Sequence, residues 1–121
     1  MFIEPKTVVW IAGASGRLGR AIEHKLDHSR YTIIPTDIEV DITDLTTVVQ
    51  HADTYRPEII INCAAMARKE DAEANPDLAY KVNALGARNL AIAATSHYRT
   101  LKLGIYGQRR RSYRASSEGV P

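Results

Sequence analysis

Val8-Val9-Trp10-Ile11-Ala12-Gly13-Ala14-Ser15-Gly16-Arg17-Leu18-Gly19 runs an apolar strand straight into a glycine-rich turn, and the turn opens a helical pattern. A strand, a glycine turn and a helix start, in that order, make a site for a dinucleotide pyrophosphate. Exposed backbone N–H groups and the positive end of the helix dipole face the phosphates, and glycines let them approach. The same glycines would also serve an ordinary tight turn, but their place behind a buried-looking strand favours the binding loop. Gly13, Ser15, Gly16, Arg17, Leu18 and Gly19 are the first candidate site residues.

Outward from that turn, Thr7 to Ala12 is apolar on both faces, as a parallel strand between helices should be. Leu18, Ile22 and Leu26 recur at helical spacing and predict a helix from about Arg17 to His28. Thr32-Ile33-Ile34 reads as a short second strand ended by Pro35. Asp44 is an N-cap for a second helix carrying Leu45, Val48 and Val49 to about Tyr55. Pro57 leads into a third strand, Ile59 to Cys63, followed by a polar loop. Asn75-Pro76-Asp77 then opens a long helix to about Ala94, in which Gly86 costs propensity that close packing on the sheet offsets. Leu101 to Tyr106 starts a fourth strand.

That order predicts an α/β fold, a Rossmann-type doubly wound parallel sheet truncated after about four strands. The expected strand order is 3-2-1-4, with the ligand at the switch between strands one and four. Residues 1–103 form the expected NAD(P)-binding domain, and 104–121 lose apolar periodicity and read as a basic, disordered tail.

Composition fits one soluble domain: 121 residues, 45% hydrophobic and 25% charged. The N-terminus lacks a signal-peptide run, and no segment approaches the roughly 20 apolar residues of a membrane span. Cys63, the single cysteine, lies in an apolar run and reads as a strand residue rather than a nucleophile. A reducing, cytoplasmic setting is expected. From Arg99 onward six basic residues face one acid, Glu118, which leaves the body of the chain acidic. The arginine cluster comes without a nucleic-acid-binding fold and reads as a solvated tail. His24 and His28 share a helix face but have no third ligand, so no metal site is expected, and Arg68-Lys69-Glu70-Asp71 reads as a solvated loop.

Asp37 ends the second strand, where an acid accepts hydrogen bonds from both ribose hydroxyls of the adenosine half of a dinucleotide. A turn aspartate is the alternative, which the glycine loop disfavours. An anionic Asp37 repels a 2′-phosphate and leans the choice towards NAD(H); Arg17 and Arg20 cut the other way, towards NADP(H). Asp41 is placed to accept from the adenine amine with Ile42 as an apolar wall, although a capping turn also fits this segment. Ala64-Ala65-Met66, past the third strand, puts small residues where a backbone passes close to a ligand or packs tightly.

The loop from Gly13 to Gly19, Val40-Asp41-Ile42-Thr43-Asp44, Pro57 to Ala65, Ala72-Glu73, and Ala79 to Ala91 occur in series. Together, over about residues 6–94, they resemble the dTDP-4-dehydrorhamnose reductase family of extended short-chain dehydrogenases/reductases. The resemblance implies a Rossmann domain that binds NADH or NADPH, and hydride delivery to the 4-keto carbon of a nucleotide-linked 6-deoxyhexose. It implies pyrophosphate contacts from Gly13, Gly16, Arg17 and Leu18, and ribose contact from Asp37. Asp41 and Ile42 would meet the adenine, and Ala64, Ala65 and Met66 the inner ribose and phosphates.

The family's catalytic Ser/Thr-Asp-Tyr segment does not occur here, and the one Tyr-x-x-x-Lys spacing, Tyr98 to Lys102, runs into the start of the fourth strand, too early in the chain for the family's pair. Tyr106 with Arg110 imitates that pair but also falls too early, and arginine lacks the lysine's compact, titratable ammonium. No catalytic residue is therefore assigned. A frameshifted or prematurely ended reading frame would explain the loss of pattern after about Leu103 and the short length, and is the expectation here. The expected partners are a dinucleotide, a nucleotide sugar if a C-terminal part is supplied, and a second copy of the chain through an open sheet edge. The alternatives are a non-catalytic regulatory or binding module, or a truncated product without activity.

Overall fold

The strand that precedes the glycine turn, β1 (Thr7–Ala12), lies inside a four-stranded parallel sheet. It pairs on one side with β2 (Tyr31–Thr36) and on the other with β3 (Ile59–Asn62), and β4 (Lys102–Ile105) pairs outside β3. The structure, a computed structural model, describes residues 4–64, 69–97 and 102–105. The tail from 106 onward, with Tyr106, lies outside the described residues.

Burial on both faces gives β1 its unbroken apolar run: Val9, Trp10, Ile11 and Ala12 are all at most 1% exposed. Val9 and Ile11 face α1 (Arg17–Lys25), against Ile22 and, just past the helix, Leu26. Trp10 and Ala12 face the opposite layer, with Val48 and Ala52 of α2 (Leu45–Tyr55) and Leu90, Ala93 and Ala94 of α5 (Ala87–His97). Trp10 Nε1 donates to Thr36 Oγ1 at 2.8 Å, which satisfies both buried polar groups.

The observed order, β2-β1-β3-β4, corrects the expected 3-2-1-4. A right-handed crossover on one face of a sheet steps the chain one way, and on the other face it steps it back. Because α1 and α2 lie on opposite faces, the second crossover carries β3 past β2 to the far side of β1. The switch point is therefore between β1 and β3, not between strands one and four.

Local chemistry sets the element ends. Asp44 caps α2 as expected, accepting from Thr46 N at 3.1 Å and Thr47 Oγ1 at 2.8 Å. The first helix stops at Lys25 rather than His28, where Asp27 accepts from Ser29 N and Oγ in a competing turn. Pro35 does not end the second strand, which runs on to Thr36; β2 is an edge of the described sheet, where a missing N–H is tolerated.

The single long helix expected after Asn75 is three segments: α4 (Pro76–Tyr80), a π-helical stretch (Lys81–Gly86) and α5. Before them α3 (Lys69–Ala74) replaces part of the polar loop. Gly86 makes room not for the sheet but for Ile42, since a Cβ there would lie 2.5 Å from Ile42 Cδ1. Among the described residues no helix is long and apolar enough to cross a membrane, and no group of side chains could hold a metal.

Candidate nucleotide-binding site

The glycine turn leaves the carboxyl end of β1 and meets the loop after β3. Gly13 has φ 74°, and a Cβ there would lie 2.4 Å from the backbone nitrogen of Ala64. Gly19 lets the first turn of α1 seat against the glycine turn itself, since a Cβ there would lie 2.6 Å from Ala14 Cα. Gly16 differs: it is exposed, and a Cβ there would make one ordinary contact, 3.6 Å to Gly13 O, without a clash.

The turn's amides divide into two sets. Ala14 N donates to Thr36 O at 2.9 Å, Ser15 N to Asp37 Oδ2 at 3.1 Å, and Gly16 N weakly back to Gly13 O at 3.4 Å. Gly16 is the N-cap of α1 without a side-chain cap, and the helical ladder begins with Arg20 N to Gly16 O at 3.0 Å. The amides of Arg17, Leu18 and Gly19 precede that bond and have no intrahelical acceptor. They sit at the positive end of α1, beside the exposed residues Ser15 to Leu18.

Asp37, just past β2, is tied to this turn. Its carboxylate accepts from Ser15 Oγ, from Ser15 N and, at 2.9 Å, from Ile38 N. The Ser15 hydroxyl, more than any other cause, holds the Asp37 carboxyl below its ordinary range despite some burial. Asp41 is exposed and caps its own turn, accepting from Thr43 N at 2.9 Å and Thr43 Oγ1 at 2.6 Å; the Thr43 hydroxyl lowers its pKa.

Ile42 is only 7% exposed and packs in the core under Gly86, while its carbonyl accepts from Asn89 Nδ2 at 2.9 Å. Its side chain is thus a support behind the site rather than an open wall. Ile38, 92% exposed beside Asp37, is the apolar surface available there, and the sequence reading passed over it. The available signal was a large apolar residue immediately after the acid that ends β2. Asn62 was missed too: buried at the end of β3, it accepts from Ala64 N at 2.9 Å and shapes the loop against Gly13. Cys63 is half-buried, and burial pushes its thiol pKa up, which suits a strand-end residue. Ala65 and Met66 lie outside the described residues.

Residues 7–102, from the start of β1 to the first residue of β4, match the model of the RmlD substrate binding domain. The chain is 40% identical over 89 residues to the dTDP-4-dehydrorhamnose reductase of Aggregatibacter actinomycetemcomitans, covering 72% of this chain and 30% of that protein. The Bacillus anthracis dTDP-4-dehydrorhamnose reductase, solved in complex with NADP, superposes with a TM-score of 0.72 at 42% identity. That likeness covers 77% of this chain and 34% of the solved one. The reductase from Clostridium acetobutylicum gives 0.74 at 39% identity, over 80% and 34% of the two chains. This chain therefore spans about a third of the length of these relatives. The matched span takes in the whole β1–turn–α1 unit and both of its neighbouring strands, and the chain belongs to the RmlD substrate binding domain family, that of the dTDP-4-dehydrorhamnose reductases.

Proposed function

We propose that this chain supplies the dinucleotide-binding part of an NAD(P)H-dependent reductase acting on a nucleotide-linked 4-keto-6-deoxyhexose. The observation that carries the reading is the uncapped start of α1 at the exposed Gly16, with Asp37 fixed alongside. The residues present fit a dinucleotide: three amides without helical acceptors for the pyrophosphate, an acid for the adenosine ribose and an apolar surface beside it. When bound, the dinucleotide supplies a hydride for carbonyl reduction.

In this reading the amides of Arg17 and Leu18 hold the pyrophosphate, and Gly13, Gly16 and Gly19 let it come close to the backbone. Asp37 accepts from the ribose and Ile38 lies against the adenine, with Asp41 nearby for the exocyclic amine. Ile42 supports that wall from behind. Ala64, against the glycine turn, lies on the side of the inner ribose and phosphates, and the family resemblance assigns Ala65 and Met66 to the same region. Polarising the carbonyl and donating its proton are assigned to no residue of this chain.

Calorimetric titration with NADH and with NADPH tests the reading. Binding of at least one of them, with a dissociation constant below about 1 mM, is expected from such a pyrophosphate cradle. A folded chain that takes up neither cofactor at millimolar concentration would falsify it.

A further inference from the structure

We propose that Ser15 is a specificity-determining residue: by holding the Asp37 carboxylate against the glycine turn, it makes this chain select a dinucleotide with a free ribose 2′-hydroxyl. The inference rests on the dinucleotide reading above and names the form of cofactor that the same site takes.

A carboxylate offers about four lone-pair sites for hydrogen bonds. Three donors already converge on Asp37: Ser15 Oγ and Ser15 N from the turn, and the neighbouring Ile38 N. About one site is left, enough for a single hydroxyl. Two of the three donors belong to the loop that faces the phosphates, so Asp37 cannot swing out of the ribose position without breaking contacts to that loop. An aspartate free to rotate would make room for a 2′-phosphate and leave Arg17 or Arg20, both exposed on the first turn of α1, to pair with it. A fixed aspartate instead sets two anions side by side, and like charges brought together at a binding surface are strongly disfavoured. Ser15 acts here as a positioning residue, through Asp37.

Dissociation constants for NADH and NADPH, measured on the intact chain and on Ser15→Ala, Ser15→Thr and Asp37→Asn, separate the possibilities. The wild-type chain is expected to hold NADH about tenfold more tightly than NADPH. Ser15→Ala keeps the amide bond to Asp37 but loses the hydroxyl. It should weaken NADH and tighten NADPH, each by about threefold, bringing their ratio near one. Ser15→Thr retains the hydroxyl and should restore the preference. Asp37→Asn keeps the shape without the charge and should raise NADPH affinity most.

A merely structural Ser15 would move both affinities in the same direction, and that outcome overturns the proposal. So does a wild-type chain that binds the two cofactors equally, or one that prefers NADPH; either leaves the dinucleotide reading intact. Failure of a folded wild-type chain to bind either cofactor overturns that reading, and this inference with it.

Discussion

At the scale of single residues, the least satisfied group in the described core is His51. Its ring lies between Trp10, at a centroid distance of 4.4 Å, and Tyr55, at 4.6 Å, and its Nε2 is buried without a hydrogen-bond partner. Burial depresses its pKa, with Glu39 opposing. The unfolded chain therefore takes up a proton at a higher pH than the folded one. Stability contributed by neutral His51 is intact above the ordinary histidine pKa of about 6.5 and falls as pH drops below it, levelling off once the folded form also protonates. The lowered carboxyls of Asp27, Asp37 and Asp41 act in another window: their contribution is complete above about pH 4 and is lost below that. Urea midpoints should fall between pH 7.5 and 5.5 in the wild type and much less in His51→Phe, which keeps an aromatic ring in the stack (both values chosen to bracket about 6.5). Equal slopes in the two proteins would remove His51 as the source. Such a residue is hard to read from sequence, because Tyr55 is only four residues on in α2 but Trp10 comes from β1, which no helical spacing reveals. Asp44 and Asp37 were legible because each acts close to its own strand or helix end.

At the scale of elements, the path from Pro76 to His97 shows where local pattern stops informing. Leu78, Val82, Leu85 and Leu90 carry a helical rhythm, yet the middle of the run is π-helical and ends at Gly86 over Ile42. The partner that explains the glycine is the Val40–Asp44 turn, fixed from the other side by the Asn89–Ile42 bond, 47 residues apart in sequence. α3 was missed for a different reason, since Lys-Glu-Asp-Ala-Glu-Ala offers no apolar stripe. The Gly86–Ile42 contact makes a double-mutant cycle informative. Gly86→Ala gains up to about 1 kcal/mol of helix propensity but drives a methyl into Ile42, and overpacking of this kind costs about 1–3 kcal/mol. Net destabilisation is expected. Ile42→Ala removes both the Cδ1 and the Cγ1 that would lie 2.5 and 2.8 Å away. The two substitutions together should then cost less than the sum of their separate effects, read from urea unfolding. Strict additivity would mean that the backbone of the π-helical stretch, rather than Ile42, absorbs the added methyl.

At the scale of the molecule, the sequence carries the α/β class and the position of the glycine turn, but not the order of the strands. Strand order depends on which face each helix covers, and β1 is apolar on both, so its own pattern does not say where α1 lies. The order that results places β1 between two partners and leaves β2 and β4 with one each among the described strands. Stability should be graded accordingly, because amides exchange through the cheapest opening that frees them. The amides of Val9 to Ala12, in the most buried strand and paired on both sides, are expected to exchange only on global unfolding. Those of Lys102 to Ile105, paired among the described strands with β3 alone, should open sub-globally and exchange about ten- to a hundredfold faster. Hydrogen exchange followed by NMR, with urea added in steps below the unfolding midpoint, reads both classes. Protection in β4 equal to that in β1 would show that the sheet opens as one unit. The glycine turn would then be anchored by all four strands together rather than by the β2-β1-β3 centre from which it springs.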